Sequence, residues 1–250
     1  MIRSGLCVLV ILFAAANLCA GEPAWLTDLD QGRRQAREES KELLVLFTGT
    51  SWCFNCEVLD YDVLHRADFA RFGNALVLVK LEFPFSEDEL PPEIKDKFVG
   101  WRREFGVVGL PTLFLADPSG RPYIVTGNAG EPAKEYVARL EGLQANRAKR
   151  DAVLEAASKA QGLEAAKHLD QALDAVAAGF DPDFKTPEGS YLAWFYRPEI
   201  DRLLASDPDD VLGLKAKYRD LLDNTKQKRV DAALERIAKT RREQGENAAI

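Results

Sequence analysis

A chain of 250 residues, 46% of them apolar, has room for two modest domains or for one domain with a large extension, and it can build a real core. Its formal charge of −7 and pI near 5.1 exclude the basic, phosphate-neutralising surface that a nucleic-acid binder needs. No basic stripe with interleaved aromatics occurs, so nucleic acid is not an expected partner.

The chain opens on "MIRSGLCVLVILFAAANLCAGEPAW", with Arg3, an apolar run from Leu6 to Ala16, and small residues at Ala20 and Gly21. This pattern predicts a signal peptide over residues 1–21 and an exported protein, periplasmic in a Gram-negative bacterium and secreted otherwise. The run is shorter than the roughly 20 residues of a spanning helix, so a membrane would be met only through an uncleaved signal segment. Cys19 raises a lipid-anchor reading, against which Leu18 occupies the place where a small residue is wanted. Cleavage near Ala20 removes Arg3, which takes the formal charge from −7 to −8, and removes Cys7 and Cys19. Cys53 and Cys56 then remain, in a compartment where thiols tend to be oxidised.

Residues Trp25 to Ser40 carry Leu26, Leu29 and Ala36 among many charges and read as a surface helix across a sheet face. From Glu42, "ELLVLFTGT" is a continuous apolar run with branched and aromatic residues, the mark of a strand buried on both faces. It passes through a turn into "CFNCEVLDYDVLHRADFARF", where Val58, Leu59, Val63 and Leu64 recur at helical spacing. "ALVLVKLEFP" is a second buried strand, and "LPPEIKDKFVGWRREFGV" a helix from Pro92 to about Gly106. "VVGLPTLFLADPSGRPYIVTG" reads as two antiparallel strands joined at "DPSG". A further helix begins near Glu131, with Tyr136, Leu140 and Leu143 on one stripe.

The two cysteines therefore stand where a strand hands over to a helix. They can form a redox disulfide, supply half of a zinc site, or pack as small hydrophobes. A disulfide closing so short a loop constrains the unfolded chain little, so stapling explains it poorly. Zinc takes about four ligands, and beyond this pair the exported chain offers only His65 and His168 as imidazoles, so no metal is expected. At a helix N-terminus the free N–H groups and the positive dipole end favour an anion, and a thiolate at Cys53 is such an anion. Cys53 would attack a disulfide, and Cys56, one turn deeper, would resolve the mixed intermediate. The redox-active disulfide would itself be the only cofactor.

"SWCFNC" after a buried strand, with "GLPT" ahead of a hairpin and closing helix, makes residues 24 to about 145 resemble a thioredoxin-fold domain. The resemblance is nearest to exported domains such as the reducing domain of membrane disulfide reductases. It implies an α/β thioredoxin fold, three layers around a central mixed sheet. It further implies a cis bond between Leu110 and Pro111, Pro111 beside the dithiol, Leu110 free to pair with an extended substrate chain, and Trp52 covering the disulfide. Trp52 can equally fill a groove beneath the loop.

One departure concerns the proton of the resolving thiol. Thioredoxins carry a buried Asp on the strand before the first cysteine, and here that position is Phe47, while the family's strand lysine corresponds to Lys80. Glu82, on the same strand face as Lys80, and Glu57 are the substitute proton acceptors. Their plainer reading is a solvated sheet-margin charge and an exposed helix residue. His65, at the far end of the active-site helix, reads as a cap. Phe54 and Asn55 bring no positive charge to the thiol.

Beyond about residue 148 the pattern is helical. "LEAAKHLDQALDAVAAG" places Ala166, Leu169, Leu173 and Val176 on one face, with Gly179 as a stop. "FDPDFKTPEGS" is a loop, "AWFYRPEIDRLLAS" a short helix, and Asp207 and Pro208 predict the start of a long one. The expected division is a signal peptide (1–21), a thioredoxin-like domain (22–148), an all-α helical-hairpin domain (149–243) and a frayed tail (244–250). Tyr191, Trp194, Phe195, Tyr196 and Tyr218 form either a core joining two helices or a partner-peptide groove.

The function expected is an exported thiol:disulfide oxidoreductase, reducing protein disulfides with electrons from a partner protein. The alternatives are a scaffold, idle or redox-sensing, whose helices bind a partner, and a maturation factor for one client such as apocytochromes.

Overall fold

The computed structural model describes residues 23–49, 51–128, 130–181, 190–224 and 239. The expected signal peptide, most of the expected 180–190 loop, the far part of the long helix expected from Pro208 and the expected frayed tail lie outside the described residues.

Five strands, β1 (Trp25–Leu26), β2 (Leu43–Gly49), β3 (Val77–Phe83), β4 (Thr112–Ala116) and β5 (Pro122–Thr126), form one sheet in the order β1-β3-β2-β4-β5. β1, β3 and β2 run parallel, and β4 and β5 join antiparallel. Every residue of β2, β4 and β5 is buried, as their unbroken apolar runs require of strands covered on both faces. The helices are α1 (Leu29–Glu39), α2 (Phe54–Leu59), α3 (Ala67–Gly73), α4 (Pro92–Glu104), α5 (Ala133–Lys159), α6 (Gly162–Ala177), α7 (Tyr191–Phe195), α8 (Arg197–Ser206) and α9 (Lys215–Asn224). α2, α3 and the start of α5 cover one sheet face with Leu59, Val63, Phe69, Tyr136 and Leu140. α1, α4 and the later helices cover the other in one continuous core running from Leu29 to Tyr218. This is the three-layer α/β thioredoxin fold with a C-terminal helical region.

That helical region shares its core with the sheet. α5 is unbroken from Ala133 to Lys159, so the division expected at 148 falls inside a helix. After α6 the chain returns to the sheet margin: Val125 N–H donates to Gly179 O (3.1 Å) and Asp181 N–H to Val125 O (2.9 Å), extending the sheet past β5. An open strand edge is thereby paired within the chain. Gly179 is required by this approach, because a Cβ there would stand 2.2 Å from Tyr123 O. The sequence reads the same glycine as a helix stop, and α6 does end at Ala177.

Four expected helices differ. The one read over Trp25 to Ser40 begins at Leu29, because Trp25–Leu26 pairs with β3 as strand β1. The active-site helix gives way to a π turn at Asp60–Leu64 and restarts as α3. The helix expected over "AWFYRPEIDRLLAS" breaks at Tyr196 into α7 and α8, which places Pro198 in the first turn of α8, where its missing N–H needs no helical partner, rather than in a helix interior. The long helix expected from Pro208 begins at Lys215. The Asp207 carboxylate accepts from Val211 and Leu212 N–H (2.8 and 2.9 Å), and that of Asp210 from Lys215 N–H (2.8 Å), so both side chains stabilise turns first.

Candidate redox site

β2 delivers the chain to the sheet's C-terminal margin and α2 carries it away, with Cys53 as the N-cap residue of α2. Cys53 and Cys56 form a disulfide with Cα atoms 5.2 Å apart. The carbonyl of Cys53 accepts from the N–H groups of Cys56 and Glu57 (3.0 and 3.1 Å), opening the helix. Both cysteines are buried, Cys56 at 2% exposure and Cys53 at 8%, so Cys53 is the less enclosed of the two. Gly49 N–H points at Cys56 Sγ (3.2 Å), the contact that ties the inner sulfur to the end of β2.

Cys53 Sγ lies 3.9 Å from Leu110 O. The Leu110–Pro111 bond is cis, as the resemblance implies, and Thr112 Oγ1 closes the turn by donating to Gly109 O (2.8 Å). Pro111 is buried and Leu110 half-buried. Trp52 is half-buried; its indole N–H donates to Phe83 O (2.9 Å) and its ring meets Phe85 edge-on. Phe54, between the cysteines, is 76% exposed, while the Asn55 carbonyl accepts from the Asn128 amide (3.2 Å).

Phe47 faces a cluster formed with Phe83, Phe105 and Phe114, at centroid distances of 5.3–6.2 Å. A carboxylate there would be buried among rings. Phe47 pairs in register with Leu81, so Lys80 leaves the opposite sheet face, where its ammonium meets Asp60 Oδ1 at 2.7 Å and lies over the Trp25 ring. Asp60, one helical turn beyond Cys56, is thus the carboxylate that meets the strand lysine. Its spacing from Cys56 was the signal for it in the sequence. The His65 imidazole sits against Asp60 O (2.8 Å) and Oδ2 (3.2 Å), a cap on the end of this helix. Glu57 and Glu82 are both exposed, Glu82 on the face that also carries Lys80.

Residues 24–118 match the family model described as thioredoxin-like. These residues are a thioredoxin-like domain. Among curated relatives, the disulfide bond reductase DsbH of Chlamydia pneumoniae is 26% identical over 129 residues, spanning 51% of this chain and 74% of the relative. Among solved structures, a DsbH oxidoreductase is similar at 22% identity and a TM-score of 0.47, covering 56% of this chain and 93% of that one. A thioredoxin from Thermus thermophilus is similar at 17% identity and a TM-score of 0.39, covering 49% and 88%. The family match ends ahead of α5, so it does not describe the helical region.

Of the aromatic residues of the helical region, Tyr196 and Tyr218 belong to the core, Tyr191 and Phe195 are half-buried against it, and Trp194 lies outside it. Tyr191 and Phe195 stack on each other and pack on Phe114, and Phe195 also meets Phe105. They join α7 to the sheet and to the end of α4 as well as to neighbouring helices. Tyr196 is fully buried, its hydroxyl donating to Pro122 O (3.0 Å) and accepting from Arg150 (2.7 Å). Tyr218 donates to Asp170 (2.6 Å) on α6.

Proposed function

We propose that the chain is an exported thiol:disulfide oxidoreductase that reduces protein disulfides, with Cys53 as the attacking thiol and Cys56 as the resolving thiol. The observation that carries this reading is the Cys53–Cys56 disulfide at the N-terminus of α2, beside the cis Leu110–Pro111 bond. In the reduced form the Cys53 thiolate attacks a client disulfide, releasing one client thiolate and forming a mixed disulfide. The Cys56 thiolate then attacks Cys53 Sγ, expelling the second client thiolate and leaving the intramolecular disulfide. A partner dithiol restores the reduced pair and is oxidised in turn.

Trp52, Leu110 and Pro111 are assigned to the client: the apolar ring beside the loop and the proline without an N–H suit an extended chain laid against residue 110. The direction, reduction, rests on similarity to a disulfide bond reductase. Export rests on the charge and apolar pattern of residues 1–21.

Insulin-disulfide reduction by the wild type and by Cys53→Ser tests the reading. Activity in the wild type and a loss of at least about 100-fold in Cys53→Ser are expected, because removal of a nucleophile is rarely compensated. Cys56→Ser should accumulate the mixed disulfide with client. Equal activity in wild type and Cys53→Ser would reject the reading.

A further inference from the structure

α7 has five residues, too few to persist without tertiary support. Its partners lie at the C-terminal end of α4, where the helix closes with Gly106 in the left-handed region (φ 62°), Gly106 N–H donating to Arg103 O and Val107 N–H to Arg102 O (3.0 Å each). Such an end leaves carbonyls unsatisfied. Trp194 donates its indole N–H to Glu104 O (2.6 Å), and Tyr191 its hydroxyl to Gly106 O (3.2 Å). Both rings also lie against the turn itself: a Cβ on Gly106 would stand 3.7 Å from each.

The chain leaving this turn is the one that forms the redox site. From Gly106 it passes through Val107, whose carbonyl accepts from the buried Arg102 Nε (3.2 Å), to Leu110 and Pro111 beside Cys53. Arg102 in turn pairs with Glu87 (2.7 Å) on the segment that follows Phe85, the residue packed on Trp52. The loop is therefore fixed at its origin by α4 and α7 together, and at its end by β4.

We propose that the helical region acts as a backstop for the redox site, with Tyr191 and Trp194 as positioning residues that hold the Glu104–Gly106 turn and so set the Leu110–Pro111 segment against Cys53. The consequence for catalysis rests on the oxidoreductase reading above. Neither side chain touches the sulfurs, so neither alters the chemistry of Cys53. What they govern is the preformed shape of the surface that receives the client chain, which is expressed in KM.

The test compares the wild type, the double variant Tyr191→Phe/Trp194→Phe, and Lys217→Gln. The last removes an extension contact elsewhere, between α9 and Asp170 and Asp174 of α6. Two readouts are taken on the full chain: amide hydrogen exchange of the peptide covering residues 107–112, and steady-state reduction of insulin.

Losing both hydrogen bonds, with an aromatic ring kept at each position but the indole cut down to a phenyl at 194, should accelerate exchange of that peptide about tenfold in the double variant. KM for insulin should rise several-fold, with kcat within about twofold, and Lys217→Gln should change neither. Unchanged exchange in the double variant, equal acceleration in Lys217→Gln, or accelerated exchange with unchanged KM in an active protein would each overturn the proposal. If the wild type leaves insulin intact while the double variant exchanges faster, the positioning claim stands and the oxidoreductase reading falls.

Discussion

At the redox loop the described polar contacts join uncharged groups: the Gly49 amide aimed at Cys56 Sγ, the Leu110 carbonyl 3.9 Å from Cys53 Sγ, and the Trp52 indole on Phe83 O, with an exposed phenyl ring between the two cysteines. At the opposite end of β4 the reverse holds. Asp117 and Arg150, 8% and 3% exposed, pair at 2.7 Å, and Arg150 also donates to the Tyr196 hydroxyl. Arg121 lies over the Tyr196 ring, donates to Phe195 O and is bidentate to Glu199. Charged groups are concentrated where the helical region docks, and the sulfurs are left without a salt bridge. A scaffold anchored at one end allows a reactive loop at the other to exchange partners without losing its shape.

The largest expected effect breaks the anchored end. Arg150→Ala leaves the Asp117 carboxylate buried without its guanidinium and should cost about 3–5 kcal/mol, read as the urea midpoint at neutral pH. Burial alone would raise the Asp117 pKa, but the Ser119 hydroxyl, the Arg121 amide and Arg150 outweigh it and hold the carboxyl below its ordinary value. A group so lowered contributes stability above the ordinary carboxylate pKa and loses it as pH falls through the lowered one. The deficit of Arg150→Ala should therefore shrink on acidification through that range, whereas a deficit constant with pH would count against the pairing.

A smaller effect is expected at the sheet margin. Gly179→Ala must displace Tyr123 O, 2.2 Å from the new Cβ, and should destabilise by about 1–3 kcal/mol in the same assay, with wild-type alkylation kinetics at Cys53. The smallest effects belong to the redox end itself. Glu57→Gln and Glu82→Gln, both at exposed positions where solvent screens charge, should each move the pH profile of thiol exchange by no more than about half a unit. A profile unmoved by both would remove these carboxylates from the handling of the Cys56 proton.

The redox end was largely legible in the sequence because its signals are local. A buried strand, a cysteine pair and a helix follow one another within "LLVLFTGTSWCFNC", and the family resemblance supplied the cis Pro111. The docked end was not, because its partners are brought together only by the fold. Arg150 meets Asp117 across 33 residues and Tyr196 across 46, and periodicity reports none of these pairings. Asp207 shows a subtler failure: an Asp-Pro pair is a sound helix-start signal, yet its carboxylate serves a turn ahead of α9. In the sequence Phe47 reads as a missing carboxylate, but the aromatic cluster that takes its place needs strands β3 and β4 and the end of α4 assembled around it.

The most direct test of the account is the pH dependence of Cys53 alkylation in the reduced protein, read by mass spectrometry on the peptide that carries it. A thiol at the start of α2 should titrate at least about one unit below the 8.5 of a free cysteine and react faster than Cys56 near neutral pH. A midpoint near 8.5, with Cys53 no faster than its buried neighbour, would contradict the assignment of Cys53 as the attacking thiol.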